Sequence, residues 1–441
     1  MSSKEKPSTA TGDESALLPK LRFPEFQGAD GWQETSLQKL ARPVTDRATT
    51  GNAGRVLSLS GEHGLVLQRD YFGKKIAGEN TDRYLNIRKD DFVYNDRTTK
   101  ASSFGTIKRL SNYPSGIVSP IYKCFRFQPS ENPVFWEWYF ESGSHDPALG
   151  GLVNEGARAG RFNISVTQFL STNAWRPNDK EQQKIADCLD SVDALIAAQG
   201  RKVEALRAHK KGLMQQLFPR PERIENGVKI PAETQPRLRF PEFEGEWEEK
   251  HLESLAKRGS GHTPSKSYPE YYDGGVKWIS LADSKRLDQG LISKTEVEVS
   301  EEGIKNSSAV LHKAGSVLIS RDAGIGKSAV MAMPMAVSQH FIVWTCDDRK
   351  LNNWFLYHLL QNSKPLFERA ATGSTIKTIG LKFFIDLRVR IPSRPEQQRI
   401  ADCLTSLDDL ITAETRKLDT LKTHKKGLMQ QLFPSVGEDE A

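Results

Sequence analysis

Glu181-Gln-Gln-Lys-Ile-Ala-Asp-Cys-Leu189 opens a stretch that closes at Leu217-Phe-Pro219, and nearly the same text runs from Glu396-Gln-Gln-Arg-Ile-Ala-Asp-Cys-Leu404 to Leu432-Phe-Pro434. The two copies align without a gap, and most positions are identical. So close an internal repeat sets the architecture before any other feature is read. In the first copy the apolar residues are Ile185, Leu189, Val192, Ile196, Val203, Leu206, Leu213 and Leu217. In the second they are Ile400, Leu404, Leu407, Ile411, Leu418, Leu421, Leu428 and Leu432. Steps of three and four residues predict two long helices, each with a coiled-coil seam. Gln199, Lys210, Glu414 and Lys425 break the seam with polar groups that can set its register. Asn178 with Glu181, and Ser393 with Glu396, stand in capping-box spacing at the helix starts. At 1.5 Å per residue each helix is about 55–60 Å long.

The rest of the chain repeats more loosely. Leu21-Arg-Phe-Pro-Glu-Phe26, followed by Trp32, returns as Leu238-Arg-Phe-Pro-Glu-Phe243, followed by Trp247. The chain therefore reads as a tandem duplication of short phrase, variable body and long helix. The expected divisions are a disordered tail over 1–20, a body over 21–176 and a helix over 177–219. A linker over 220–237 follows, then a body over 238–392, a helix over 393–434 and a tail over 435–441. Phe92-Val-Tyr-Asn-Asp-Arg97 corresponds to Ser316-Val-Leu-Ile-Ser-Arg321, and Val118-Ser119 to Val337-Ser338. Short strand-like runs (Val317-Leu-Ile-Ser320, Phe341-Ile-Val-Trp344) alternate with aromatic-rich helical stretches (134–140 and 354–360). The fold class expected is α+β: two similar mixed bodies joined by two long helices in an antiparallel coiled coil, related by a pseudo-twofold axis.

With 441 residues and 37% hydrophobic content there is room for two cores. No run of about twenty apolar residues exists to span a membrane. The polar first twenty residues lack a signal-peptide core. Four cysteines without a Cys-x-x-Cys pair argue against disulfides and structural zinc. Together these point to a cytoplasmic protein. The net charge of +6 is compatible with nucleic acid but is weak evidence alone.

The duplicated frame resembles the specificity subunit of type I restriction–modification enzymes. The resemblance is carried by Leu-Arg-Phe-Pro-Glu-Phe…Trp, a variable domain, and Glu-Gln-Gln-Lys/Arg-Ile-Ala-Asp…Lys-Lys-Gly-Leu-Met-Gln-Gln-Leu-Phe, each present twice. Gly261-His-Thr-Pro-Ser265…Tyr271…Trp278-Ile-Ser280 is also similar to the opening of a target-recognition domain, with His262 where Gly is frequent. The resemblance implies that each body binds one half of a bipartite sequence in double-stranded DNA. It implies that the helices separate the bodies and dock two modification (methyltransferase) subunits, with restriction (motor–nuclease) subunits joining the full complex. It implies no catalytic residue in this chain. S-adenosylmethionine, ATP and magnesium are then expected on the partners, and no cofactor here.

Two basic loops rich in small residues are the DNA-contact candidates in each body. In the first body they supply Arg97, Thr98, Lys100, Ser102, Ser103, Lys108 and Arg109, then Arg158, Arg161 and Asn163. In the second they supply Arg321 and Lys327, then Ser374, Thr375 and Lys377, with Lys266, Ser267 and Tyr268 from the opening segment. Arg and Lys neutralise phosphate or pair with guanine, Ser and Thr bond phosphate or base edges, and Asn can read adenine. The same composition also suits an ordinary surface loop. Ala323-Gly-Ile-Gly-Lys-Ser328 falls short of a P-loop, because Arg321 stands where the first Gly is required. It reads instead as a glycine-containing loop with Arg321 and Lys327 free to reach DNA. Asn132-Pro-Val-Phe135 is similar to an amino-methyltransferase loop only in part, and reads as a turn into a helix. A stand-alone methyltransferase and a coiled-coil scaffold without DNA binding are the competing readings. The basic residues along both helices fit partner docking better than sequence readout, since both copies keep them.

Overall fold

The computed structural model describes residues 17–48, 55–73, 81–99, 102–152, 162–225, 228–373 and 377–434. The chain forms two compact units, and the division falls inside both long helices. One unit comprises 1–198 with 419–441, the other 199–418. Each unit therefore holds the start of one long helix and the end of the other. The cause is in the repeated Leu-Phe-Pro ends, whose aromatic rings are buried in the cores described below.

The long helices span Asp179–Leu217 and Arg394–Leu432. Every seam residue predicted above is buried or half-buried. Within the second unit, Gln199 Nε2 donates to Glu414 Oε2 at 2.6 Å, and Lys210 Nζ to Asp408 Oδ2 at 2.6 Å. As one number rises the other falls, so the facing segments run antiparallel. Within the first unit Lys425 pairs with Asp193, the repeat-equivalent of the Lys210–Asp408 contact. Gln199 and Glu414, 215 residues apart, are themselves equivalent positions that meet each other. Lys202 first and Gln199 second hold the Glu414 carboxyl below its usual range. A carboxyl held low in the folded chain adds stability above its unfolded pKa and loses it as pH falls. Gln199→Glu would set two carboxylates face to face. Its thermal midpoint should drop at neutral pH and approach the parent's as acid protonates one of them; an unchanged midpoint at neutral pH would refute the contact.

The first unit holds two four-stranded sheets. In one, Phe92–Asn95 lies antiparallel between Thr106–Arg109 and Lys123–Phe127. In the other, Val56–Ser60 pairs parallel with Ser115–Val118. The second unit repeats the plan. Val317–Ser320 lies between Ser328–Met331 and Phe341–Cys346 in a five-stranded sheet, and Ala336–Val337 makes a parallel pair with Tyr272–Ile279. The correspondences read from sequence thus fall on equivalent strands. Within the linker, Arg223–Glu225 and Val228–Ile230 form an antiparallel pair. No helix of the described residues is long and apolar enough to cross a membrane.

The repeated Glu-Gln-Gln holds each unit together. Arg22 grips Glu181 through Nε at 2.8 Å and Nη2 at 2.7 Å, and Arg239 grips Glu396 at 2.9 and 2.7 Å. The capping box at the first helix is therefore only half realised. Asn178 Oδ1 accepts from Glu181 N at 3.0 Å, but the carboxylates of Glu181 and Glu396 turn to the arginines instead of back to the helix start. The first Gln accepts from a backbone N–H, Asn132 N at 3.2 Å or Asn352 N at 2.9 Å. The second accepts from the side chain of the same Asn, at 2.9 and 2.8 Å. Those asparagines cap the aromatic helices Pro133–Glu141 and Asn353–Asn362. The short N-terminal phrase also donates from Leu21 N to Gln431 O, as Leu238 N donates to Gln216 O.

Candidate nucleic-acid interface

In the second unit three separated segments meet at one edge. The chain leaves Val317–Ser320, turns through 321–327, and returns as the antiparallel strand Ser328–Met331. Gly324 and Gly326 have φ of 82° and 78°, a left-handed conformation that other residues adopt at a cost. The loop runs into a strand and not a helix, so it lacks the helix N-terminus on which a P-loop binds phosphate. Arg321 N donates to His340 O at 3.0 Å, and Ile379 N donates to Arg321 O at 2.9 Å. Asp322 joins the same segments: its carboxylate meets His340 Nδ1 at 2.5 Å and accepts from Thr378 Oγ1. The opening segment arrives through Thr263 Oγ1, which donates to Gln339 Oε1 at 2.6 Å, and His262 N, which donates to Val337 O at 3.1 Å. A Cβ on Gly261 would lie 1.7 Å from Val337 O, so only glycine fits this approach.

Lys266, Ser267, Tyr268, Gln339 and Lys377 stand exposed around this cluster. Lys327 is not free as expected: its Nζ donates to Ser284 O at 2.9 Å and Ser284 Oγ at 3.0 Å. Arg321 is also mostly covered, with Nε 4.0 Å from Asp322 Oδ1. Thr263, Asp322, Gln339, His340 and Thr378 were not picked out from sequence. The match of Val337-Ser338 to Val118-Ser119 marked the place, and the polar Gln339-His340 that follows was the available signal.

The first unit uses the same positions. The loop after Phe92–Asn95 closes on itself through Thr99 and Ser102, whose backbones exchange bonds of 3.0 and 3.2 Å. Gly105 has φ of 86°, and a Cβ there would sit 2.4 Å from Asn95 O. Phe162 N donates to Asp96 O at 3.2 Å, which brings Asn163 to the loop; Asn163 is exposed, with φ of 55°. Arg97 and Ser103 are exposed and Thr98 and Ser102 half-buried. Lys108 and Arg109 are committed elsewhere. Lys108 pairs with Glu141, and Arg109 bonds Asp90 at 2.6 Å and Glu137 at 2.7 Å. Burial pushes the Glu137 carboxyl up, against the pull of Arg109. Lys100, Arg158, Arg161, Ser374 and Thr375 lie outside the described residues.

Two histidines away from these edges are packing groups. Burial pushes His145 and His358 down to about 3, and they bond Thr172 and Thr405. Among the described residues no group of three or more His, Cys, Asp or Glu is arranged to hold a metal ion.

The class that fold and site define is a duplicated α+β protein, with polar loops gathered at equivalent edges of two units bound to long helices. The type I restriction modification DNA specificity domain matches residues 244–423. The MjaIX specificity subunit of Methanocaldococcus jannaschii is 26% identical over 190 residues, 43% of this chain and 44% of the relative. The EcoR124I/EcoR124II specificity subunit of Escherichia coli is 30% identical over 188 residues, 41% of this chain and 45% of the relative. Each match thus spans less than two thirds of the relative's length. The fold is shared with the type I restriction–modification S subunit of M. genitalium, at a TM-score of 0.55 and 14% identity over 96% of this chain and all of that one. Over residues 244–423 the chain is thus similar to the type I restriction modification DNA specificity domain.

Proposed function

We propose that this chain is a non-catalytic DNA-binding subunit that reads a bipartite target, one half-site per unit, and directs methyltransferase subunits to it. The observation that carries the reading is the equivalent placement of divergent polar loops in the two units. Elements that hold the units together repeat almost unchanged, while the loops at the two edges differ, as readers of different sequences must. Gln339 and Asn163 have the side-chain amides that pair with adenine, and Arg97 and Lys377 the cations that meet phosphate or guanine. The long helices then act as an antiparallel spacer that sets the gap between half-sites.

Docking of two methyltransferase subunits is supported by a second repeat feature. Leu195 and Leu410 are equivalent residues on the long helices, and they are 57% and 41% exposed. Each stands in a stripe with Cys188, Ser191 and Ala198, or with the identical Cys403, Ser406 and Ala413. Exposed leucines kept twice outside the seam fit a protein contact. Leu195→Asp with Leu410→Asp should abolish co-purification with the methyltransferase and leave the unfolding free energy within about 1 kcal/mol of the parent. S-adenosylmethionine, ATP and magnesium would belong to the methyltransferase and motor–nuclease partners, in the cytoplasm.

Adenine-methylation mapping tests the whole reading. DNA from cells expressing this chain with its methyltransferase should carry a two-part motif with a fixed gap, absent without the chain. Exchange of one body should change one half of the motif. Methylation that does not depend on this chain would favour a scaffold role.

A further inference from the structure

We propose that a basic cleft in the second unit, between its long-helix segments and its body, holds the phosphodiester backbone of the DNA where it leaves the second half-site. The proposal rests on the DNA-binding reading above and adds a contact that carries no base information.

The cleft has a volume of about 700 Å³, and every residue lining it belongs to the second unit. One wall is a single helix face, on which Arg207, Lys210, Lys211 and Met214 recur at spacings of three and four. Asp408, Ile411, Thr415 and Arg416 line it from the antiparallel segment. Asp288, Tyr357 and Lys364 close it on the side of the body. Five cations therefore stand against two acids, Asp288 and Asp408. Both acids are engaged. Lys210 Nζ bonds Asp408 Oδ2 at 2.6 Å, and Asp288 accepts from Lys364 Nζ at 2.6 Å and Ser328 N at 3.0 Å. The surplus charge lies with Arg207, Lys211 and Arg416, which are exposed. Arg207 also meets Glu204 at 2.7 Å, but both side chains are more than half exposed, and water and salt weaken such a pair. A hollow with a surplus of positive charge favours an anion.

The occupant follows from place and from the repeat. Asp288 and Lys364 also line a second hollow, of about 660 Å³, which reaches Asp322, Lys327 and Lys377. Those three residues belong to the edge assigned to DNA, so the cleft begins where that edge ends. The second hollow is balanced, with Lys327, Lys364 and Lys377 against Asp288, Asp322 and Glu368, so the surplus belongs to the cleft. The positions equivalent to Arg207, Lys211 and Arg416 in the other repeat are Lys422, Lys426 and Arg201. Phosphate contacts position a protein on DNA without reading bases, so both repeats can keep these cations while the loops diverge.

The test uses the purified full chain and duplexes with and without the motif found by methylation mapping. Arg207→Ala with Lys211→Ala should weaken binding to both duplexes about 10-fold and lower the slope of log affinity against log salt by about 2. Lys250→Ala with Lys350→Ala removes the same charge elsewhere on the unit and should leave the slope unchanged. Ethylation of phosphates just outside the second half-site should interfere with binding of the parent and not of the cleft variant. The methylated motif and the thermal midpoint should stay as in the parent, because the two side chains are exposed. Sequence-selective binding by the parent without interference outside the half-sites would overturn the cleft contact and leave the DNA reading intact. A cleft variant with the parent's salt slope that loses the methyltransferase would also overturn it, making the cleft a protein contact. Failure of the parent to select any sequence would remove the DNA reading and the cleft contact together.

Discussion

Phe433→Ala should destabilise the first unit by about 3–5 kcal/mol, the usual loss for a large aromatic deleted from a packed core. Phe433 follows the last residue of the second long helix, yet it is 2% exposed. Its ring centroid lies 5.7 Å from Phe135, 6.1 Å from Trp32 and 6.1 Å from Tyr139. Removing it leaves a cavity that these rings cannot close without leaving their own contacts. Phe218→Ala is the same experiment on the second unit, where Phe218 is 1% exposed and packs 5.4 Å from Phe355 and 6.3 Å from Trp247. Urea unfolding gives the loss, and hydrogen exchange should place the new opening in the unit whose ring was removed. Exchange that rises first in the residues adjoining the other ring would contradict the assignment of each helix end to its core. A loss below about 1 kcal/mol would mean the ring is not packed as described.

Arg22→Ala should cost about 3–5 kcal/mol as well, through charge and not volume. Glu181 is 1% exposed, and Arg22 meets both of its oxygens in a bidentate pair with the arginine side chain only 7% exposed. Trp32 Nε1 adds a third bond to the carboxylate at 3.3 Å. Without the guanidinium a buried anion keeps one weak donor. Arg22→Lys should recover only part of the loss, because an ammonium offers no planar fork for two oxygens. Arg239→Ala removes the equivalent pair, but Arg239 is 22% exposed, so water replaces it more easily and the loss should be smaller. Thermal or urea unfolding of the three variants orders them; Arg22→Ala equal to the parent would refute the clamp.

These two predictions fall on the phrases that repeat best, and the repeat was readable as text. Its meaning was not. Leu-Arg-Phe-Pro-Glu-Phe, Glu-Gln-Gln and Leu-Phe-Pro are far apart in the chain, and local patterns say nothing about which will meet. The capping-box expectation shows the limit: the spacing was right, but a distant arginine offers a buried carboxylate two charged bonds, which outweighs one backbone N–H. The candidate DNA loops were found by composition, and the structure sorts them. Lys108, Arg109 and Lys327 have the residue types of DNA contacts, yet local partners hold all three. Gln339 and His340 were passed over because two polar residues after a short apolar run carry no pattern of their own.

The sequence by itself determined the duplication, the two long helices and their seam, and the strands that correspond between the bodies. Those features depend on periodicity and identity, which survive without knowledge of contacts. Only the tertiary structure decided that each unit is closed by the end of the other repeat's helix. It alone brought residues 321–327, 337–340, 372–373 and 377–379 to one edge. Burial and long-range hydrogen bonds select among many residues of the same type, and that choice exists only once the chain is folded.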